Sequence, residues 1–429
     1  MIDSKTGDRM LAYVQQVLDV EPLYLCDVEK HDDGTRTYIR KKDENGDFIM
    51  ADAIEKAHVL GWTLIVKKGE FKPGDKCVFF EIDSKLPSGK FFDSEGNDVF
   101  GFMEPKHYNV KTYKLDKFGI WSQGLILPLS SFDIDPETPL NENLTERLGI
   151  TYSVKEDNSR KANIVSQSEK SYMAKHRRFF GNRLVKSLMK HAFFRSLFLR
   201  KAHKTSKDIK TAFPSEFVSK TDEERIQNMP YILEDKRELV ATEKIDGTST
   251  TWLMVRKPLG RFEFYVCSRN RRLFDDSNEN VYMNNDNIYW ENAKKYDVEN
   301  QLRKYLNAHK ELKWVCIQGE SYGEGWQGNP LKMRGHHFAA FNFKDSENGR
   351  WGSLEARELL SSWDTPIPWV PILDTKFVLP DTVEELLNIA TAKSRVNPFV
   401  LREGIVFRSK DGKLSFKAVS PEYLMKHNA

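Results

Sequence analysis

The sequence predicts an α+β protein in which a small β-barrel and a larger sheet-built domain flank a basic helical segment. Three observations lead there. Residues 1–150 break into short β patterns separated by Gly and Pro turns. A cation-rich stretch from Arg160 to Lys210 has apolar residues at helical spacing. Beyond it, apolar strands repeatedly end in a charged residue beside a glycine. The expected division is 1–150, 151–212 and 213–429.

In the first region, residues 60–66 and 76–82 are strand-like runs, and Lys72-Pro73-Gly74-Asp75 between them predicts a hairpin. Residues 121–128 read as a third strand. The barrel is either a binding module or a body that only packs on the second domain.

The middle region carries fifteen Lys and Arg between 160 and 210 against only Glu169 and Asp208, an asymmetry hidden by the overall net charge of +3. Phe180, Leu184 and Leu188, then Phe193, Phe194, Leu197 and Phe198, mark an apolar face of one or two amphipathic helices. Arg177, Arg178, Arg183, Lys186 and Lys190 are candidates for sequence-independent capture of an RNA phosphate backbone. A linker with solvated lysines, or a helix lying on a membrane surface, are the alternatives.

In the third region, residues 239–242 and 248–255 are rich in β-branched and aromatic types and read as strands. Between them stands Glu243-Lys244-Ile245-Asp246-Gly247, whose bland reading is a surface lysine before a turn. A protonated lysine attacks nothing, so a nucleophilic Lys244 needs desolvation or neighbouring cations to lower its pKa. Residues 314–320 form a buried-strand pattern ending in Glu320. Residues 337–343 form another, whose alternation places Phe341 and Phe343 on one face. Residues 402–408 open with Glu403-Gly404, and Asp411-Gly412 turns the chain into 413–419. There, alternation sends Leu414, Phe416 and Ala418 to the core and Ser415, Lys417 and Val419 to the other side.

With 429 residues, 39% hydrophobic and 30% charged, the chain is long enough for two cores. Cys26, Cys77, Cys267 and Cys316 are too scattered for a zinc site or disulfide framework and read as reduced thiols of an intracellular protein. The start has no apolar targeting core and no run of eighteen apolar residues occurs, so a soluble protein without a membrane partner is expected. His336 and His337 point to opposite faces of a strand, which argues against a shared metal.

In the order of these elements the chain resembles the covalent nucleotidyltransferases, the superfamily of ATP-dependent ligases and capping enzymes. Lys244-Ile245-Asp246-Gly247 matches the nucleophile motif, Ser268-Arg269-Asn270 the arginine motif, and Gly319-Glu320-Ser321-Tyr322-Gly323 the third. Phe338-Ala339-Ala340-Phe341-Asn342-Phe343 matches its aromatic companion, Glu403-Gly404-Ile405-Val406 the fourth, and Phe416-Lys417 the fifth. The chain looks most like nick-sealing RNA ligases with an OB domain ahead of the catalytic domain. Lys220-Thr221-Asp222-Glu223-Glu224-Arg225-Ile226-Gln227-Asn228 resembles the segment that leads into their nucleophile motif. Only twelve residues follow Lys417, too few for the C-terminal OB domain of DNA ligases and capping enzymes.

The resemblance implies an OB-like barrel and a nucleotidyltransferase domain of antiparallel sheets flanked by helices. It also implies ATP and Mg²⁺ or Mn²⁺ as cofactors, a lysyl-AMP intermediate, and RNA with 3′-hydroxyl and 5′-phosphate ends as substrate. Catalysis would fall to Lys244, Asp246, Glu320, Glu403 and Lys417, with Asp246, Glu320 and Glu403 as hard oxygen donors for the metal. ATP would also meet Glu243, Ile245, Gly247 and Arg269, and Phe341 would stack on adenine. Relatives often carry Lys-x-Lys where this chain has Ser415-Phe416-Lys417, leaving Lys417 alone to neutralise phosphate, and some have Asn at Ser249. A DNA ligase, a capping guanylyltransferase or a silent RNA-binding protein are the competing readings.

Overall fold

A computed structural model describes residues 1–3, 9–31, 36–153, 212–273 and 288–427. The basic helices expected within 160–210, with Arg177, Arg178, Arg183, Lys186 and Lys190, lie outside the described residues.

Short strands with frequent turns build the N-terminal region as expected. Lys76–Phe80 lies between Ala12–Gln16 and Leu125–Pro128, antiparallel to both. A second sheet orders Asp19–Tyr24, Met50–Val59 and Trp62–Lys67. Tyr13, Trp62, Leu64, Cys77 and Phe79 pack one core cluster, and Val78, Phe80, Phe100 and Phe132 another, as strand alternation dictates. Two sequence expectations fail here. Trp62–Lys67 and Lys76–Phe80 are not a hairpin: the turn at Gly74 carries the chain from one sheet to the other. Residues 121–128 are not one strand but Ile120–Gln123 and Leu125–Pro128, broken at Gly124. Its φ is +114°, and an added Cβ would sit 2.7 Å from Phe79 Cε2, so only glycine fits there.

The C-terminal region holds two larger sheets. The six-stranded one runs Arg272–Leu273, Phe262–Ser268, Thr248–Arg256, Trp314–Gly323, His336–Asp345, Gly349–Arg350. Helices Ile288–Lys295, Val298–Ala308 and Ser353–Ser361 cover one face through Trp252, Phe338, Phe343, Leu302 and Leu360. The five-stranded one orders Glu224–Arg225, Ser415–Val419, Gly404–Ser409, Leu239–Lys244 and Ile372–Phe377. Its back packs Leu239, Ala241, Ile405, Phe407, Phe416 and Ala418 against helix Val383–Ala390. That helix starts with a Thr382/Glu385 capping box. The predicted hairpin after Glu403 is present, with Gly412 at φ +69°. Leu239–Lys244 ends one sheet and Thr248–Arg256 begins the other, so Lys244 stands where the two sheets meet.

A β-bulge overturns one prediction at this junction. Asn342 pairs with Gln318 and Ala340 with the next residue, Gly319, leaving Phe341 as the extra residue. Phe343 therefore enters the helix-covered core, while Phe341 turns to the opposite side beside Ile245, Ala339 and Val400.

The two regions are joined by the segment ahead of the nucleophile strand. Asn228 accepts from Trp62 Nε1 (2.6 Å) and Tyr13 Oη (3.2 Å) and donates to Glu81 (2.8 Å). Val419 and Leu424 of the C-terminal region complete the N-terminal core. Among the described residues no helix is long and apolar enough to cross a membrane.

Candidate active site at the junction of the two sheets

Lys244 is the last residue of its strand, and Glu403 immediately precedes the strand paired with it, so register alone brings them together. Lys244 Nζ donates to Glu403 Oε2 at 2.7 Å. Glu320 enters from Trp314–Gly323 across from Ser249, and Asp246 from the turn between the sheets. Gly247 permits this approach, since a Cβ there would lie 2.4 Å from Ser321 O. Ile245 anchors the turn by burial beside Tyr322 and Val370.

Burial works against the Lys244 charge, but Glu403, Glu320 and Asp246 outweigh it and hold the ammonium pKa above its ordinary value. This corrects the expectation that neighbouring cations lower it: carboxylates are its nearest ionic neighbours. Burial, with Glu403 and Asp246 adding to it, pushes Glu320 up to about 8 against the pull of Lys244. Glu403 is raised as well, chiefly by burial. Buried glutamates that resist ionisation are short of positive charge, and hard oxygens in that state fit a divalent cation. Asp246 is held aside by Tyr423 Oη, which donates to its Oδ2 at 2.6 Å. The three carboxylates are not among the described groups whose ligand atoms all lie within 4.8 Å; Asp19, Glu21 and His58 on the barrel surface are. An ion contacted partly through water suits the wider set.

On the other side lies a cation cluster only partly expected. Glu224–Arg225 pairs in parallel with Ser415–Val419, placing Arg225 directly opposite Lys417. Both are buried, and burial together with Arg225, Lys244 and Arg9 lowers Lys417 to about 8 although Asp222 opposes this. Like charges on paired strand positions repel. Asp222 answers part of the repulsion, accepting from Lys417 (3.4 Å) and forming an ion pair with the half-exposed Arg269. Asp83 accepts from Arg225 (3.4 Å) and from Arg9 (3.0 Å), an arginine of the N-terminal region. Arg225 Nε and Nη1 have no partner among the described residues.

Glu243 points the other way, as strand alternation requires. Its carboxylate accepts from Ser394 Oγ and from the Arg395 amide (2.7 Å), so the side chain holds a loop on the far face. Phe341 sits half-buried on the cleft side with the Arg408 guanidinium 5.8 Å from its ring centre. Ser249 and Thr221 share a hydroxyl hydrogen bond of 2.6 Å.

Comparison with known proteins now bears on this geometry. The RNA ligase family model matches residues 237–419, and an OB-fold domain family matches 37–129. A Naegleria gruberi RNA ligase solved with pyrophosphate is 29% identical, with TM-score 0.66, covering 98% of this chain and 99% of its own. A point variant of that enzyme with AMP and Mn gives 28% and 0.67 at the same coverage. Another, with ATP and Mn, gives 27% and 0.66, covering 99% of each chain. These matches support an ATP-dependent RNA ligase with an N-terminal OB-fold domain. No curated protein matches it.

The ligase's sheets thus bring together Lys244, Asp246, Glu320, Glu403 and Lys417, with Arg269 tied in through Asp222. Sequence reasoning missed Asp222, Arg225, Arg9 and Tyr423 as site residues. Asp222 and Arg225 lie in the segment matched to the lead-in of the nucleophile motif, but nothing local marks Arg225 as buried. Arg9 is 235 positions before the nucleophile, and Tyr423 shows only as an aromatic on a short helix.

Proposed function

We propose that this RNA ligase joins RNA 3′-hydroxyl and 5′-phosphate ends, at nicks or breaks, through a lysyl-AMP intermediate formed from ATP with Mg²⁺ or Mn²⁺. The observation that carries this reading is Lys244 Nζ hydrogen-bonded to Glu403, between a carboxylate set and a buried cation pair. The AMP, ATP, pyrophosphate and Mn in the Naegleria gruberi structures support it.

Lys244 must first lose a proton, and Glu403 Oε2 at 2.7 Å is positioned to accept it. Nζ then bonds to the α-phosphorus as the bond to pyrophosphate breaks. Lys417, Arg225 and Arg269 neutralise the departing charge. Phe341 stacks on the adenine. In the second step an RNA 5′-phosphate oxygen attacks the same phosphorus and Lys244 leaves. In the third, a 3′-hydroxyl attacks the activated 5′-phosphate and AMP departs. Glu320, Glu403 and Asp246, directly or through water, would hold a divalent cation, which would supply positive charge to phosphate oxygens.

Residues 1–150 form the RNA-holding OB domain, 213–429 the adenylyltransferase domain, and 151–212 a basic connector. Within the connector, Arg177, Arg178, Arg183, Lys186 and Lys190 capture RNA phosphates. Replacing those five with glutamine weakens RNA binding at low salt; unchanged affinity removes that role. The reaction itself is tested with a nicked duplex carrying a labelled 5′-phosphate. Sealed product, an RNA-adenylate in single-turnover samples and dependence on ATP are expected. Sealing supported by GTP alone, or no sealing of RNA ends, would refute the reading.

A further inference from the structure

Next to the nucleophile turn lies a surface that the adenylyl transfer does not use. The chain between helix Val383–Ala390 and Glu403 presents Phe399 to solvent, at 88% exposure the most exposed aromatic side chain among the described residues. The backbone beneath that ring is firmly tied. Ser394 Oγ donates to Glu243 and accepts from the amides of Val396 (3.0 Å) and Asn397 (3.2 Å). Asn397 Oδ1 accepts from the Phe399 amide at 3.1 Å, and the Ser394 amide donates to Val400 O at 3.0 Å. Val400 turns inward, into the cluster that buries Ile245 of the nucleophile turn. A second loop joins this edge, because Asn397 Nδ2 donates to Leu331 O at 2.9 Å and Leu331 enters the same cluster. Four exposed cations come with the two loops, Lys332 and Arg334 on one, Lys393 and Arg395 on the other. Residues 325–335 and 391–402 contain no Asp or Glu, and none of the four cations has an ion pair among the described residues.

An apolar ring held in water gains free energy when a partner covers it, and the unpaired cations around it select the charge of that partner. Every nucleobase has a π-face that stacks on an aromatic side chain, and the phosphates on either side are anions. A second copy of the chain, meeting this face through a two-fold axis, would set the same cations against one another. We propose that this edge holds RNA beside the ends being joined, with Phe399 stacking on an unpaired or terminal base and Lys332, Arg334, Lys393 and Arg395 meeting the flanking phosphates. Because the loop is already tied down, little ordering is needed on contact. The inference rests on the RNA-joining reading and adds a contact surface on the nucleotidyltransferase domain, separate from the barrel and from the basic connector.

The test separates the step that needs no RNA from those that do, using the full-length enzyme. Phe399→Ala should take up covalent label from ATP as wild type does, which also reports that it folds. Its single-turnover sealing of a nicked RNA duplex, below saturation, should fall by roughly 5- to 100-fold. Phe399→Trp should keep sealing near wild type, whereas Phe399→Leu, apolar but without a π-face, should lose it as alanine does. The double variant Lys393→Gln/Arg395→Gln should bind RNA more weakly, with the slope of log affinity against log salt reduced by about 1.5. Sealing by Phe399→Ala within twofold of wild type overturns the inference, as does full activity in Phe399→Leu. A parallel loss of labelling and sealing makes the ring structural and overturns it too. So does self-association of wild type that Phe399→Ala abolishes while sealing is unchanged. Failure of wild type to seal RNA would instead sink the RNA-joining reading itself, a result distinct from all of these.

Discussion

Tyr423→Phe isolates one contact that links the C-terminal helix to the nucleophile turn. Tyr423 is 4% exposed, and its hydroxyl donates to Asp246 Oδ2 at 2.6 Å. Burial first, then Asp246, pushes the phenol well above its ordinary pKa, so it remains a donor across the working range. The ring stacks on His427 with centroids 4.2 Å apart, and phenylalanine keeps that stack. Only the hydrogen bond is lost. A hydrogen bond to a charged acceptor contributes about 1.5–3 kcal/mol, which corresponds to roughly 10- to 150-fold in rate if it is fully expressed in the transition state. The assay is single-turnover labelling of the enzyme by ATP over a range of Mg²⁺ concentrations. The variant should be slower by a factor in that range and need more metal, because an unheld Asp246 is no longer aimed. Labelling within twofold of wild type at every metal concentration would refute the positioning role.

Asp222→Asn removes the carboxylate between Lys417 and Arg269. Burial opposes its charge, but Lys417, Arg269 and Arg9 hold its pKa down to about 2. A depressed carboxylate stabilises the fold above its ordinary pKa of 3.8, and that stability is lost as pH falls toward about 2. Denaturant unfolding should show the variant weaker by about 3 kcal/mol at pH 7, with the gap closing between pH 4 and 2; a constant gap contradicts the account. Gly404→Ala places a Cβ 2.2 Å from Ala418 O, so about 1–3 kcal/mol of overpacking strain and loss of labelling at Lys244 are expected. Normal labelling with unchanged stability would contradict that packing. Asn228→Ala leaves Trp62 Nε1 without its acceptor in the interface and removes one of several donors to Glu81. Calorimetry should show a loss of about 2–4 kcal/mol and earlier separation of the two domains, rather than a single unshifted transition.

The strands of the C-terminal domain were legible because each carries its own signal. Buried β-branched runs around Lys244, Glu320 and Glu403 mark the strands, although Trp314–Gly323 runs on past Glu320 and Glu403 stands just before its strand, and Asp411-Gly412 marks the hairpin that delivers Lys417. What sequence could not give was placement set by distant partners. Phe341 and Phe343 obey period two on paper, and only pairing with Gln318 and Gly319 exposes the extra residue that separates them. The turn at Gly74 looks like any hairpin turn, yet Lys76–Phe80 pairs instead with strands far away in the chain. Arg225 owes its burial to a two-residue parallel pairing with Ser415–Val419, too short to have a period. The Lys244 environment was misjudged because its ionic neighbours Glu403, Glu320 and Asp246 come from the start of one strand, the interior of another and a turn, and their summed field is a property of the fold.

The most direct test asks where nucleotide becomes covalently attached. The full-length enzyme is incubated with ATP and Mg²⁺ or Mn²⁺, and digested peptides are examined by mass spectrometry for an acid-labile AMP adduct. The account predicts a single adduct on Lys244, abolished by Lys244→Ala and discharged by pyrophosphate. An adduct on another residue, or one that survives in Lys244→Ala, would contradict it.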